Sequence, residues 1–309
     1  MSATLQRTEH RLSFECFGSE CTVIVADAAR PDEAAAAAAA ARRRLLEWHE
    51  QFSRFARESE LTRLNDAPAV TVPVTALMRR VVQASVQAAC ATAGLVDPTL
   101  VGEIERAGYD RHLEPDGLPL VEALAAAPAR SIATTSADAA WRSIQVDRSA
   151  GTVSRPPGVR LDLGGIAKGV FADELAALLV GHDAFVVDCG GDMRLGGMAR
   201  QDREVHVASP FDDSMVHTFE IARGAVATSG IGRRGWWRAD GRPAHHLLDP
   251  RTGEPAFTGV VQATAVAPTA TEAEMLSKAA LLSGPAGAAR WLTQGGVIVL
   301  DDGSYKVVD

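Results

Sequence analysis

The chain carries no excess of positive charge, no paired-cysteine spacing, no long apolar run and no dinucleotide fingerprint. Each absence removes a class of function. Lysine and arginine number 31 against 39 aspartates and glutamates, a formal net charge of −8. That balance excludes general nucleic-acid binding, which requires a basic face, and leaves no polybasic signal for an anionic membrane surface. No stretch approaches the ~20 apolar residues of a membrane span, so insertion into a bilayer is not expected. Cys16, Cys21, Cys90 and Cys189 show neither CxxC nor zinc-ligand spacing. Thiols this sparse fit a reducing compartment, where they act as small hydrophobes. The opening MSATLQRTEHRLSF has no apolar core of signal-peptide length, and a cytoplasmic location is the expectation. No GxGxxG follows a predicted strand, which sets aside a nicotinamide dehydrogenase. The one lysine-bearing glycine turn lacks the Ser or Thr of a P-loop.

What is present suffices for one large folded unit. At 309 residues with 47% hydrophobic content the chain can bury a substantial core. It shows no linker or internal repeat, so residues 1–309 read as a single domain. RLSFECFGSECTVIVAD reads as a strand pair bent at Gly18. Pro31-Asp32-Glu33 and eight alanines open a helix, which the spacing of Leu45, Trp48, Phe52 and Phe55 carries on through Phe55. A second helix starts near Thr75 and stops at Gly94. Residues 100–140 read as loop-rich, and a hairpin turns near Ala150-Gly151. A strand over VRLDL leads into a helix, and further strands fall at AFVVDCGGDMRLGG, REVHVASP, MVHTFEIARGAVATSG and VVQATAVAPT. Helices are expected at 271–283 and 285–294, with VIVLDDGSYKVVD as a closing hairpin. Strands and helices interleaved without a steady βαβ rhythm predict an α+β (mixed α/β) fold, with mixed sheets flanked by helices.

The stretch LDLGGIAKG (161–169) would place Gly164 and Gly165 at a helix N-terminus beside Asp162 and Lys168. Free N–H groups, the helix dipole and a cation there favour a phosphate, although a tight turn with a solvated lysine fits the same residues. Four other stretches follow the same pattern of turn residues next to chemistry-bearing ones. They are GLVDPT with Asp97, VDCGGDMR with a second glycine pair before Asp192, ATSG with Ser229, and HHLLDPRTG with His246 three residues before Asp249-Pro250.

Taken in order, with FGSECTV and FSRFARESELTRLN before them and APTATEAEMLSKAALLSG after, these stretches resemble the FAD:protein FMN transferase family, the ApbE-type flavin transferases. The likeness runs from about residue 14 to 300. It implies a protein that binds FAD and transfers its FMN half to a Ser or Thr hydroxyl of an acceptor flavoprotein with release of AMP, a Mg2+ ion bridging the diphosphate. Phosphoryl transfer asks mainly for positioning and charge neutralisation. Carried over by position, the flavin site would use Phe17, Phe55, Leu95, Val96, Asp97, Asp162, Lys168, Ser229 and His246. Phe17 and Phe55 either pack on the isoalloxazine or belong to the core. Lys168 would contact phosphate. Asp162 would orient the cofactor or the attacking hydroxyl, or merely cap the helix. His246 would accept the acceptor's proton or only touch the flavin, with His245 turned elsewhere.

The chain departs from the family where the metal belongs. The resemblance implies an Asp and, four residues on, a Thr as metal ligands beside a backbone carbonyl. Here these positions are Glu274, Lys278 and Gly165. Glutamate still offers a hard oxygen, but a protonated lysine cannot ligate a cation. Either Glu274 and Lys278 form a surface i, i+4 ion pair, or the Lys278 ammonium sits where the metal would and acts as a fixed charge in the catalytic site. Phe17 replaces the family's usual Met, Phe55 its usual Tyr, and Asp188 a common Asn. Three functions follow from the resemblance: FMN transfer, flavin binding or carriage without chemistry, and hydrolysis of FAD to FMN and AMP.

Overall fold

Phe17 and Gly18 both adopt left-handed backbone angles, with φ of 56° and 65°, as a two-residue hairpin turn demands. They join β1 (Glu9–Cys16) to β2 (Ser19–Ala26) in antiparallel register. The computed structural model describes residues 9–111 and 117–309. Residues 1–8, part of the segment behind the export reading, and 112–116, within the stretch read as loop-rich, lie outside the described residues. Helix α1 (Pro31–Phe52) begins with Pro31, Asp32 and Glu33, which suit the positive end of its dipole. It buries Ala34, Ala38, Ala41, Leu45, Trp48 and Phe52, and packs on β1 and β2. The alanine run thus supplies a thin face that lets the helix lie close to the strands. The helix ends at Phe52 because Ser53 turns to an extended conformation. Phe55, expected on the same apolar side, lies beyond the helix and is 37% exposed.

Helix α2 (Glu60–Asp66) is capped by Ser59, whose hydroxyl accepts the Thr62 N–H at 3.0 Å. Its last carbonyls are taken by the buried guanidinium of Arg155, which donates to Leu64, Asn65 and Ala67. Strand β3 (Thr71–Pro73) and α3 (Ala76–Ala91, capped by Thr75) follow. The stretch read as loop-rich holds α4 (Val101–Arg106) and α5 (Leu120–Ala125). Strands β4 (Gln145–Asp147) and β5 (Thr152–Ser154) make the expected hairpin and join β3 in a small sheet. Residues 159–163 form no strand. Leu161 instead exchanges two hydrogen bonds with the Asn65 side-chain amide, at 2.8 and 2.9 Å, and the Asp162 N–H donates to the Pro98 carbonyl at 2.8 Å.

Helix α6 (Ala167–Leu179) leads to β6 (Ala184–Cys189) and β7 (Asp192–Gly196). Then come β8 (Arg203–Ala208), β9 (Met215–Ile221) and β10 (Gly224–Gly230). A short pair, β11 (Gly235–Trp237) and β12 (Pro243–His245), precedes β13 (Val260–Ala267) and α7 (Ala270–Leu282). The helix expected over 285–294 is broken into α8 (Gly284–Gly287) and a 3-10 turn at Ala288–Trp291. Strands β14 (Gly296–Leu300) and β15 (Tyr305–Val308) close the chain.

The principal sheet has the order β1-β2-β6-β7-β10-β13-β14-β15, every neighbouring pair being antiparallel. Alternate residues serve opposite faces, as the pleat requires. Val23, Val187, Ala225 and Ala265 join the main core under the helices, whereas Val186, Leu195 and Val226 meet Val205 and Ile221 of the β8–β9 hairpin. Helices α6 and α7 cross at Gly169, where a Cβ would lie 2.6 Å from the Ala270 carbonyl oxygen. That glycine is needed for helix contact rather than for a ligand. The α+β expectation therefore holds. Cys16, Cys21 and Cys189 are buried free thiols, as expected of small hydrophobes, but Cys90 is exposed.

Candidate functional site

A cavity of about 1100 Å3 opens between the ends of these elements, large enough for a dinucleotide. Phe17, Phe55, Leu95, Val96, Asp97, Asp162, Gly165, Lys168, Ser229, His246 and Lys278 all line it, and Glu274 does not. Residues separated by more than 250 positions are thus brought to one wall. The glycine turn itself is looser than the sequence implied. Neither Gly164 nor Gly165 has a positive φ, and the N-cap of α6 is Ile166, with no side-chain cap. Asp162 therefore does not cap that helix. Its Oδ1 accepts the Gly164 N–H at 2.9 Å, and its Oδ2 lies 3.2 Å from Arg54 Nε.

Lys168 is no solvated surface lysine. In the first turn of α6 it forms an ion pair with Asp192, the first residue of β7, and its Nζ lies 3.9 Å from Glu274 Oε1. Burial alone would depress the ammonium, but Asp192 and Glu274 outweigh it and hold Lys168 above its ordinary value, so it stays charged. Glu274 is fully buried. Its Oε2 accepts the Gly169 N–H at 2.9 Å and its Oε1 accepts from Lys278 Nζ at 3.0 Å. Burial first, and then the neighbouring Asp192, push this carboxyl up to about 7. Asp188 anchors the Gly190-Gly191 turn by accepting the Gly191 N–H at 2.7 Å, and burial moves it up to about 6.

The residues present do not fit a divalent cation. Both oxygens of Glu274 are engaged, one by the Gly169 N–H and the other by Lys278, whose ammonium is a donor only. A Cβ on Gly165 would sit 3.6 Å from Lys278 Cε, so the lysine stem lies against one expected metal-site residue, Gly165, while its Nζ bonds the other, Glu274. Among the described residues no three His, Cys, Asp or Glu side chains converge to hold a metal.

His246 follows β12, and its Nδ1 is buried without a hydrogen-bond partner. Burial, reinforced by Arg234, His245 and the two lysines, holds its pKa well below the ordinary value, so the imidazole is neutral and its protonated form is disfavoured until a negative charge enters beside it. His245 faces the core, edge-on to Phe257 at 4.8 Å, and burial lowers it to about 3. Ser229 Oγ and Ser277 Oγ are 2.8 Å apart, tying β10 to α7. Asp97 holds the Thr99 N–H at 2.8 Å, and burial raises its carboxyl.

The two candidate aromatics differ. Phe17 keeps its left-handed backbone because His49 Nδ1 accepts its N–H at 3.2 Å and Arg234 donates to its carbonyl at 2.8 Å. Its ring stacks on Phe171 at 5.3 Å. Such an outlier survives only where its surroundings over-determine it. Phe55 lies at the mouth, edge-on to Tyr109 at 5.2 Å and beneath the Arg54 guanidinium at 4.6 Å. Sequence reasoning did not place Arg54, Tyr109, Arg234 or Asp192 among the site residues. Only Asp192, trailing a glycine pair behind a strand, left a readable signal.

The chain matches the model of the ApbE family over residues 17–300. It is 28% identical over 257 residues to the FAD:protein FMN transferase of Klebsiella pneumoniae, covering 80% of this chain and 71% of that one. To the protein of the same name from Escherichia coli K12 it is 27% identical, covering 75% and 67%. The crystal structure of the ApbE protein from Thermotoga maritima superposes with a TM-score of 0.80 at 26% identity, covering 98% of this chain and 97% of that one. The Pseudomonas stutzeri flavinyl transferase ApbE shares the fold at a TM-score of 0.75 and 20% identity, covering 100% and 97%.

Proposed function

The chain belongs to the ApbE family, and from that premise we propose that it is an FAD:protein FMN transferase, moving the FMN half of FAD to a serine or threonine hydroxyl of an acceptor protein and releasing AMP. The observation that carries the chemistry is the His246 imidazole on the same cavity wall as the Lys168 ammonium, with its Nδ1 left without a hydrogen-bond partner in the protein. A hydroxyl attacking phosphorus must lose its proton, and an acceptor held ready for it is what general-base catalysis requires. The acceptor oxygen bonds to the FMN-side phosphorus as the bond from that phosphorus to the bridging oxygen breaks. The bridging oxygen and its electron pair leave with AMP, and the hydroxyl proton passes to His246. Lys168, fixed by Asp192, holds and neutralises the diphosphate. Asp162, braced by Arg54, orients the cofactor or the entering hydroxyl. The apolar Leu95-Val96 wall, with Phe17 and Phe55, receives the flavin ring, while Asp97 and Ser229 complete its polar contacts.

Incubating the purified chain with FAD, and with extract of the cells that make it as the source of acceptor, is expected to yield AMP together with flavin fluorescence that survives denaturing electrophoresis. His246→Asn should lower the turnover rate by about 10^2–10^4, with a much smaller change in FAD affinity. FAD left intact despite acceptor would favour the carrier reading, and AMP without a labelled protein would favour hydrolysis.

A further inference from the structure

Glu274 and Lys278 stand one turn apart on α7, yet neither belongs to the protein's surface. The Glu274 side chain is inaccessible and that of Lys278 is 12% exposed. Resting on the flavin-transferase reading, we propose that Lys278 is a cofactor-binding residue whose ammonium, with that of Lys168, is the built-in cation for the FAD diphosphate, so that this chain binds its dinucleotide without a divalent metal.

Placement is the first argument. The lysine stem runs past Gly165, and its Nζ reaches the same Glu274 oxygen that Lys168 approaches from α6. Glu274 therefore holds the Lys278 ammonium and lies 3.9 Å from that of Lys168, which Asp192 fixes. Hydrogen-bonding capacity is the second. An ammonium has three donors and no acceptor. Lys278 spends one on Glu274, which leaves donors for phosphate oxygens and none of the lone pairs that a metal ion needs. Charge is the third. Lys168 and Lys278 offset Asp192 and Glu274, so a divalent ion finds no net negative charge in this cluster, whereas a diphosphate in the cavity meets Lys168, Lys278 and Arg234 on its wall, with the two carboxylates behind the lysines and off that wall. A buried ion pair gives little stability over apolar side chains of the same volume, so packing alone does not account for this one at the cavity wall.

The test is a titration of the full chain, stripped of metal, with FAD and separately with riboflavin, read by flavin fluorescence. FAD affinity should be the same in excess EDTA and in excess magnesium chloride. Lys278→Met keeps the stem and removes the charge. It should weaken FAD binding roughly tenfold to a hundredfold, the range for one charged hydrogen bond, and leave riboflavin binding unchanged. Lys278→Thr should show the same loss in EDTA and recover it with magnesium. If Lys278→Met does not fold, the double variant Glu274→Gln/Lys278→Met removes both charges and should show the same selective loss. Magnesium-tightened FAD binding by the unmodified chain, or FAD binding undiminished in a charge-removing variant, would overturn the role of Lys278 while leaving the flavin reading intact. If the unmodified chain binds neither FAD nor riboflavin, the flavin reading itself fails and the proposal falls with it.

Discussion

At one end of the cavity Lys168, Asp192, Glu274 and Lys278 sit on two helices and a strand, each charge held against an opposite one and nearly out of reach of water. At the outer end, reached across the glycine turn that Asp162 and the Lys278 stem both touch, Arg54, Phe55, Tyr109 and Asp162 lie outside helices and strands. There Arg54 is shared among Asp162 at 3.2 Å, Glu105 at 3.6 Å and two aromatic faces. The buried end has a fixed charge pattern that a phosphoryl transfer can use without reorganisation. The outer end has adjustable contacts, suited to admitting a ring and then a protein hydroxyl. Catalytic charge is placed where the scaffold is stiff, and recognition where it can give.

Breaking the buried end should cost most. Lys168→Met leaves Asp192 charged and unpaired in the interior, and urea denaturation should show a loss of about 3–5 kcal/mol together with loss of AMP release. The next effect sharpens the contrast through pH. The folded Glu274 carboxyl holds its proton to about 7, against 4.5 ordinarily. The native state therefore binds the proton that the unfolded state has given up, and this group's contribution to stability falls as pH rises from about 4.5 to 7. The drop is a few kcal/mol at most, since one pKa unit is worth about 1.4 kcal/mol. Glu274→Gln should flatten that part of a stability profile measured between pH 4.5 and 8. The outer end should yield least. Arg54→Ala removes two partly solvated ion pairs, to Asp162 and Glu105, each worth about 0.2–1 kcal/mol, and should alter FAD affinity by less than about thirtyfold. An effect as large as that of Lys168→Met would erase the distinction between the two ends.

Much of the buried end was legible because short-range patterns encode it. A glycine pair before an acid gave the β6–β7 turn, the Pro-Asp-Glu-Ala run gave α1, and the register of α7 put Glu274 and Lys278 on one side. The outer end was not legible. Residues 159–163 alternate like a strand, but their backbone is held by Asn65, some 96 positions away. No local pattern announces a side-chain amide standing in for a neighbouring strand. Phe55 kept the helical spacing of α1 while the helix had already stopped at Phe52, leaving Arg54 free to meet Asp162. Gly284, with φ of 67°, separates α7 from the helix expected after it, which runs only to Gly287 before tightening into a 3-10 turn at Ala288–Trp291.

The strand order carries a consequence for biosynthesis. β2 pairs on its inner side with β6, so the N-terminal hairpin emerges from the ribosome long before its neighbour exists. At 5–20 residues per second the roughly 150 intervening residues take on the order of ten to thirty seconds. Through that interval an unfilled strand edge is open to other nascent chains. α1 is made directly after the hairpin and can shield its apolar face, but the edge itself stays bare until β6 arrives.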